Sequence, residues 1–92
     1  MKILVIEDEP EMRRNLVSIL RLEKFEPIAA ENGCAGVDAA RREKPALILC
    51  DVMMPDLDGY GVLAALRADA GTAATPFIFL TPKAKSRISE RA

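Results

Sequence analysis

Acidic residues follow two short apolar segments of this sequence, and their positions suggest a metal site. Residues 46–50 form an apolar run too short for a helix and too continuous for a half-exposed strand. We therefore predict a strand that is buried on both faces and leads into Asp51. Lys2–Ile6 is a second such segment, and it leads into Glu7 and Asp8. If the two strands are parallel neighbours, all three carboxylates lie at the edge of the sheet where ligands bind.

Carboxylates at that spacing would repel one another and raise one another's pKa unless a hard cation joined them. Mg²⁺ suits such a site, because it prefers oxygen ligands, keeps several waters and takes only one or two carboxylates directly. A structural alternative is that Asp8 and Glu9 cap the helix that follows. The spacing alone leaves both interpretations open.

A third apolar segment, P-F-I-F-L-T at residues 76–81, ends in the hydroxyl of Thr81. Three motifs resemble the receiver domain of bacterial response regulators. They are V-I-E-D-E-P at the end of the first strand, L-I-L-C-D-V-M-M-P-D-L-D-G around Asp51, and this segment. The three motifs occur in the family's order and spacing, from Lys2 to about Ala84 without a gap.

The resemblance implies a role for each matching residue. Asp51 corresponds to the phosphoacceptor, Glu7 and Asp8 to the acidic pair that holds Mg²⁺, the Met53 carbonyl to a backbone metal ligand, and Thr81 to the switch hydroxyl. The implied phosphoryl donor is a phosphohistidine on a sensor histidine kinase or a phosphotransfer protein. Such a chain is a phosphoacceptor that assists its own phosphoryl transfer, and not an enzyme in the usual sense.

The fold implied by the resemblance is α/β and flavodoxin-like, a doubly wound parallel sheet with strand order 2-1-3-4. Pro27 supports an edge position for the second strand, since proline cannot donate to a ladder. In the first helix we expect a buried stripe and an outward side. The expected stripe is Met12, Leu16, Ile19 and Leu20, and the expected outward residues are Arg13, Arg14 and Glu23. We expect Asn32 and Asp58 to cap the second and third helices.

Composition narrows the class of protein. Ninety-two residues, half of them hydrophobic, fit a single domain with one modest core. A net charge of −1 gives no field for nucleic acid, so we expect no direct binding to it. The apolar start is too short for a signal peptide or a membrane span, which predicts a cytoplasmic protein without membrane contact. Cys34 and Cys50 form neither a CxxC motif nor a zinc site.

Two departures from the family pattern bear on switching. The sequence ends at Ala92, so we interpret residues 1–92 as a single truncated receiver domain in which the family's fifth strand, its lysine and its fifth helix are missing. Pro82 also stands where the family has a residue whose N–H meets a phosphoryl oxygen, and proline has no N–H. We therefore expect slow phosphorylation with poor switching. The alternative is a truncated receiver that acts as a phosphorylation-independent protein-interaction module.

Without a fifth strand, residues 77–80 would form an open edge that is apolar, β-prone and uncharged, which proteins rarely leave bare. We expect a homodimer, either through pairing of the fourth strands or through exchange of residues 82–92. Basic residues of that last segment would lie at the rim: Lys83, Lys85, Arg87 and Arg91. The alternative is that the segment folds back over the edge within one chain.

Overall fold

Strands and helices alternate along the chain in the computed structural model, which describes residues 1–80. The elements are β1 (Lys2–Ile6), α1 (Pro10–Leu22), β2 (Glu26–Ala30), α2 (Gly33–Glu43), β3 (Leu47–Asp51), α3 (Gly59–Ala68) and β4 (Phe77–Leu80). All neighbouring strands are parallel, in the order β2-β1-β3-β4. The predicted α/β class and the strand order are therefore confirmed. Thr81, Pro82 and the basic residues after them lie outside the described residues.

The register of the sheet brings the predicted acidic residues to one edge. Ile6, the last residue of β1, pairs with Ala30 of β2 and with Cys50 of β3. Asp51 is the final residue of β3 and pairs with Leu80 of β4. The prediction had placed Asp51 just after the strand, so the observed strand is shifted by one residue. The carboxyl ends of β1 and β3 are adjacent, as a shared acidic site requires.

The larger part of the core lies on one face of the sheet, beneath α2 and α3. Because side chains alternate along a strand, β1 sends one set of residues to this face and the other set to the opposite face. The buried core residues under α2 and α3 include Leu4, Ile6, Ile48, Cys50, Val37, Ala40, Val62 and Leu66.

Helix α1 contacts β1 and β2 on the opposite face. The crossover from β1 to β2 runs in one direction along the sheet and the crossover from β2 to β3 in the other, so right-handed connections place α1 and α2 on different sides. Ile3 and Val5 are buried there, at 2% and 0% exposure. No residue of α1 itself is fully buried. The predicted stripe is wrong at Ile19, which is 55% exposed, because within the described chain α1 is covered only along the side that faces β1 and β2.

Side-chain caps fix the start of each helix. Asn32 accepts from the Ala35 amide and Asp58 from the Gly61 amide, as predicted. At α1 the cap is Glu9, whose carboxylate accepts from the Met12 amide, and Pro10 follows as the first helical residue. The β1–α1 and β2–α2 loops are short, whereas the β3–α3 loop is longer and comprises residues 52–58.

Gly59, the first residue of α3, packs directly against the end of β3. A Cβ atom at this position would lie 2.5 Å from the Asp51 carbonyl oxygen and 2.9 Å from the Val52 Cα. The Gly59 amide donates to the Val52 carbonyl at 2.9 Å. Only glycine fits this approach without moving the backbone that carries Asp51.

Gly59→Ala should destabilise the domain by about 1–3 kcal/mol, because the added methyl meets backbone atoms that cannot rotate away. In a domain of this size that lowers the unfolding midpoint by about 4–8 °C for each kcal/mol, measurable by circular dichroism. Gly71→Ala is the matched control, since its Cβ would meet the mobile end of the Lys44 side chain and, in ordinary contact at 3.5 Å, Asp69 Oδ1. Equal midpoints for the two variants would contradict the packing argument.

Candidate functional site

The structure brings Glu7, Asp8 and Asp51 together at the carboxyl edge of the sheet. One oxygen from each carboxylate can be chosen so that all three lie within 4.8 Å of one another. Glu7 and Asp51 are each 1% exposed, and Asp8 is half-buried. The prediction that these residues converge is confirmed. We call this set the acidic cluster.

The burial of the acidic cluster has an electrostatic consequence. Taking a carboxylate out of water is costly, and two or three carboxylates at this separation also repel one another. A divalent cation offsets both effects. All donors of the cluster are carboxylate oxygens, which Mg²⁺ prefers over the nitrogen and sulfur ligands typical of zinc. The donor set therefore fits Mg²⁺.

The β1–α1 loop holds Glu7 and Asp8 in place. The Glu7 amide donates to the Ala30 carbonyl at 3.1 Å, which extends the ladder between β1 and β2 by one bond. The Glu7 carboxylate accepts from the Glu9 amide at 3.0 Å. Of the two acids proposed as helix caps, Glu9 is the cap and Asp8 belongs to the acidic cluster, so the two interpretations hold for different residues.

Arg13 also contacts this loop, which the sequence pattern did not predict. Its Nη1 donates to the Glu7 carbonyl at 2.8 Å and lies 3.5 Å from the Asp8 carbonyl. The expectation that Arg13 faces outward is wrong, because the long side chain turns back from α1 to the end of β1. Helical periodicity assigns a charged residue to the polar side of the helix, and it does not predict that a long side chain folds back toward the sheet.

Cys50 lies behind the cluster, fully buried, with its Sγ 3.2 Å from the Asp51 carbonyl oxygen. Burial raises the pKa of the Cys50 thiol to about 12, and the charges of Asp51, Glu7 and Asp58 add to that effect. The side chain is therefore a protonated thiol at neutral pH and serves as packing. Cys34 is exposed at the start of α2.

The β3–α3 loop and the start of α3 follow Asp51 along the chain. The Met53 side chain is 66% exposed and Tyr60 is 62% exposed. The ring of Tyr60 packs against Phe79 of β4, with centroids 5.0 Å apart. The role of the Met53 carbonyl as a metal ligand stays a prediction, and Thr81 lies outside the described residues.

Within residues 1–80, no helix is long and apolar enough to cross a membrane.

Comparisons with known proteins agree with this geometry. The family model for the response regulator receiver domain matches residues 3–92. Protein PilH of Pseudomonas aeruginosa is 39% identical over 82 residues, which cover 89% of this chain and 68% of PilH. A probable transcriptional regulator, ycf27 of Porphyra purpurea, is 45% identical over 80 residues, but these cover only 32% of that protein. The chain thus spans about a third of the longer relatives.

Solved structures show the same fold. The receiver domain of sensor histidine kinase PA1611 from Pseudomonas aeruginosa superposes with a TM-score of 0.85 and 30% identity, covering 97% of this chain and 73% of that one. That structure has a magnesium ion coordinated in its active site cleft. A response regulator receiver domain from Methanoculleus marisnigri gives a TM-score of 0.82 and 29% identity over 96% of this chain and 76% of its own. The motifs, the fold and the family match agree: the chain belongs to the response regulator receiver domain family.

Proposed function

We propose that this receiver accepts a phosphoryl group on Asp51 from a phosphohistidine of a sensor histidine kinase or phosphotransfer protein, with Mg²⁺ held at the acidic cluster. One observation carries the proposal. The carboxylates of Glu7, Asp8 and Asp51 meet at the carboxyl edge of the sheet, and two of them are almost completely buried. Buried, mutually close carboxylates suit a metal-assisted nucleophile better than a structural role.

In the proposed step, a carboxylate oxygen of Asp51 attacks phosphorus, the P–N bond to the donor histidine breaks, and an acyl phosphate forms. The histidine nitrogen keeps the electron pair of the broken bond. Mg²⁺, when bound, offsets the charge on the transferring oxygens. Glu7 and Asp8 supply the oxygen ligands, the Met53 carbonyl is the proposed backbone ligand, and Thr81 is the proposed switch hydroxyl.

The magnesium neighbour supports the metal part of the proposal, since its receiver domain shares the fold and 30% of the aligned residues. Asp51 ends the central strand β3, which is hydrogen-bonded on both sides, so the nucleophile stands on a rigid element. Precise positioning of this kind is what phosphoryl transfer requires. The cytoplasmic location and the absence of direct nucleic-acid contact stay predictions from the sequence.

Incubation with acetyl phosphate tests the proposal without a kinase. Intact-protein mass spectrometry should show one added phosphoryl group in the presence of Mg²⁺ and none in the presence of EDTA. Base treatment should remove the group, since acyl phosphates hydrolyse readily. An unmodified chain that binds Mg²⁺ would favour the alternative, a phosphorylation-independent interaction module. Modification that persists in EDTA would contradict the metal requirement.

For the 92-residue chain the proposal includes self-association through β4. This strand is at the edge of the described sheet, and its centre, Ile78, is 52% exposed. The strand sequence F-I-F-L carries no charge. A second copy that pairs with β4 would satisfy its outward backbone groups and cover Ile78 in one step.

Ile78→Lys should dissociate the dimer, because a charge on the strand cannot be buried against its copy without a partner. Sedimentation velocity at micromolar concentration measures the change. Ile19→Lys is the matched control, with the same residue type, 55% exposure and a position on α1. A wild-type chain that sediments as a monomer, or equal effects of both variants, would contradict pairing through β4.

A further inference from the structure

The geometry points to Arg13 as a positioning residue for the metal ligands, an inference that rests on the proposed Mg²⁺ site. Arg13 is in the first turn of α1, and its guanidinium reaches the carbonyl groups of Glu7 and Asp8, the two proposed ligand residues that follow β1. The shorter of the two contacts, 2.8 Å to the Glu7 carbonyl, is a well-formed hydrogen bond with a charged donor.

This hydrogen bond acts on the direction of the Asp8 carboxylate. The Glu7 carbonyl lies in the planar peptide unit that joins Glu7 to Asp8. That planar unit includes the Cα atom of Asp8, so a displacement of the unit displaces the base of the Asp8 side chain. By holding the Glu7 carbonyl, Arg13 therefore acts on the position of the Asp8 ligand through the backbone.

Other contacts hold the loop at either side of this peptide. The Glu7 amide is held by the Ala30 carbonyl, and the Glu9 amide is held by the Glu7 carboxylate. Glu9 is further anchored as the cap of α1. Arg13 instead contacts the peptide between the two ligand residues directly, through the Glu7 carbonyl.

If Arg13 acted only through its charge, its effect on Mg²⁺ binding would be the opposite of a positioning effect. A guanidinium next to a cation site repels the cation, so a residue with only a charge effect would weaken Mg²⁺ binding. Its removal would then strengthen binding. A positioning role predicts weaker binding on removal, because the loop loses the geometry that octahedral Mg²⁺ demands. Whether Mg²⁺ affinity falls or rises when Arg13 is replaced therefore distinguishes a positioning role from a charge effect.

Arg13→Met keeps most of the length and the apolar stem but removes the donors and the charge. We expect its Mg²⁺ affinity, measured by isothermal titration calorimetry on the 92-residue chain, to fall by about tenfold or more, as outer-shell partners of metal ligands typically do. Arg13→Lys keeps one charged donor of similar reach and should recover part of the loss. Arg14→Met is the matched control on the exposed side of α1 and should bind as the wild type does.

Amide chemical shifts give a second readout that does not need the metal. In EDTA, Arg13→Met should shift the Asp8 amide, which belongs to the held peptide, more than any amide of α2. Unchanged or tighter Mg²⁺ binding by Arg13→Met, or equal losses in Arg13→Met and Arg14→Met, would overturn the inference. An Asp8→Asn arm keeps the two proposals apart. If Asp8→Asn also leaves affinity unchanged, the metal site fails; if only Arg13→Met does, the positioning role alone fails.

Discussion

Asp51→Asn should abolish phosphorylation by acetyl phosphate, the largest effect expected for a single side chain of this domain. The carboxylate oxygen is the proposed nucleophile, and an amide has neither its charge nor its basicity. The substitution is nearly isosteric, so the packing around β3 is retained. Intact-protein mass spectrometry in Mg²⁺ buffer should show only the unmodified mass for this variant.

Asp38→Asn is the matched control for Asp51→Asn. Asp38 is exposed on α2, outside the acidic cluster, and its variant should be phosphorylated as the wild type is. Peptide mapping should place the added group on the segment that contains Asp51. A phosphoryl group still present in Asp51→Asn would move the acceptor to another residue, with Asp8 the first to examine because it is the half-buried member of the acidic cluster.

Much of this site follows from the sequence because its signals are local. Each buried strand is an apolar run that ends in a polar residue, and each parallel strand must deliver that residue to the same edge. The family motifs add the roles of the acidic residues. The convergence of Glu7, Asp8 and Asp51 could be predicted from the direction and order of the strands, without knowing how any side chain is oriented.

The features that the sequence did not predict depend on the path of a long side chain and on how much of a helix its neighbours cover. Arg13 turns inward because its reach from α1 matches the end of β1, and periodicity does not encode reach. Ile19 repeats at the helical period but stays exposed, because the width of the covered side is set by β1 and β2 and not by α1. Asp8 and Glu9 both precede Pro10, so spacing alone could not tell the ligand from the cap.

Asp8→Asn should change stability in opposite directions with and without Mg²⁺. In EDTA the acidic cluster holds carboxylates within 4.8 Å of one another, and one fewer charge relieves their repulsion, so the unfolding midpoint should rise. In Mg²⁺ the same variant has lost a ligand, and its affinity should fall by more than the roughly 10–100-fold typical of outer-shell partners.

Thermal unfolding at several Mg²⁺ concentrations measures both effects, because a ligand that binds only the folded state stabilises it by about 2.7 kcal/mol at a concentration of 100 Kd. The wild type should gain about 10–20 °C between EDTA and Mg²⁺ at 100 Kd, since each kcal/mol is worth about 4–8 °C in a domain of this size. Asp8→Asn should gain far less, so that the two melting curves exchange their order as Mg²⁺ is added. Glu23→Gln, at the exposed C-cap residue just after α1, should follow the wild type at every concentration. Parallel curves for wild type and Asp8→Asn would show that Asp8 does not hold the metal.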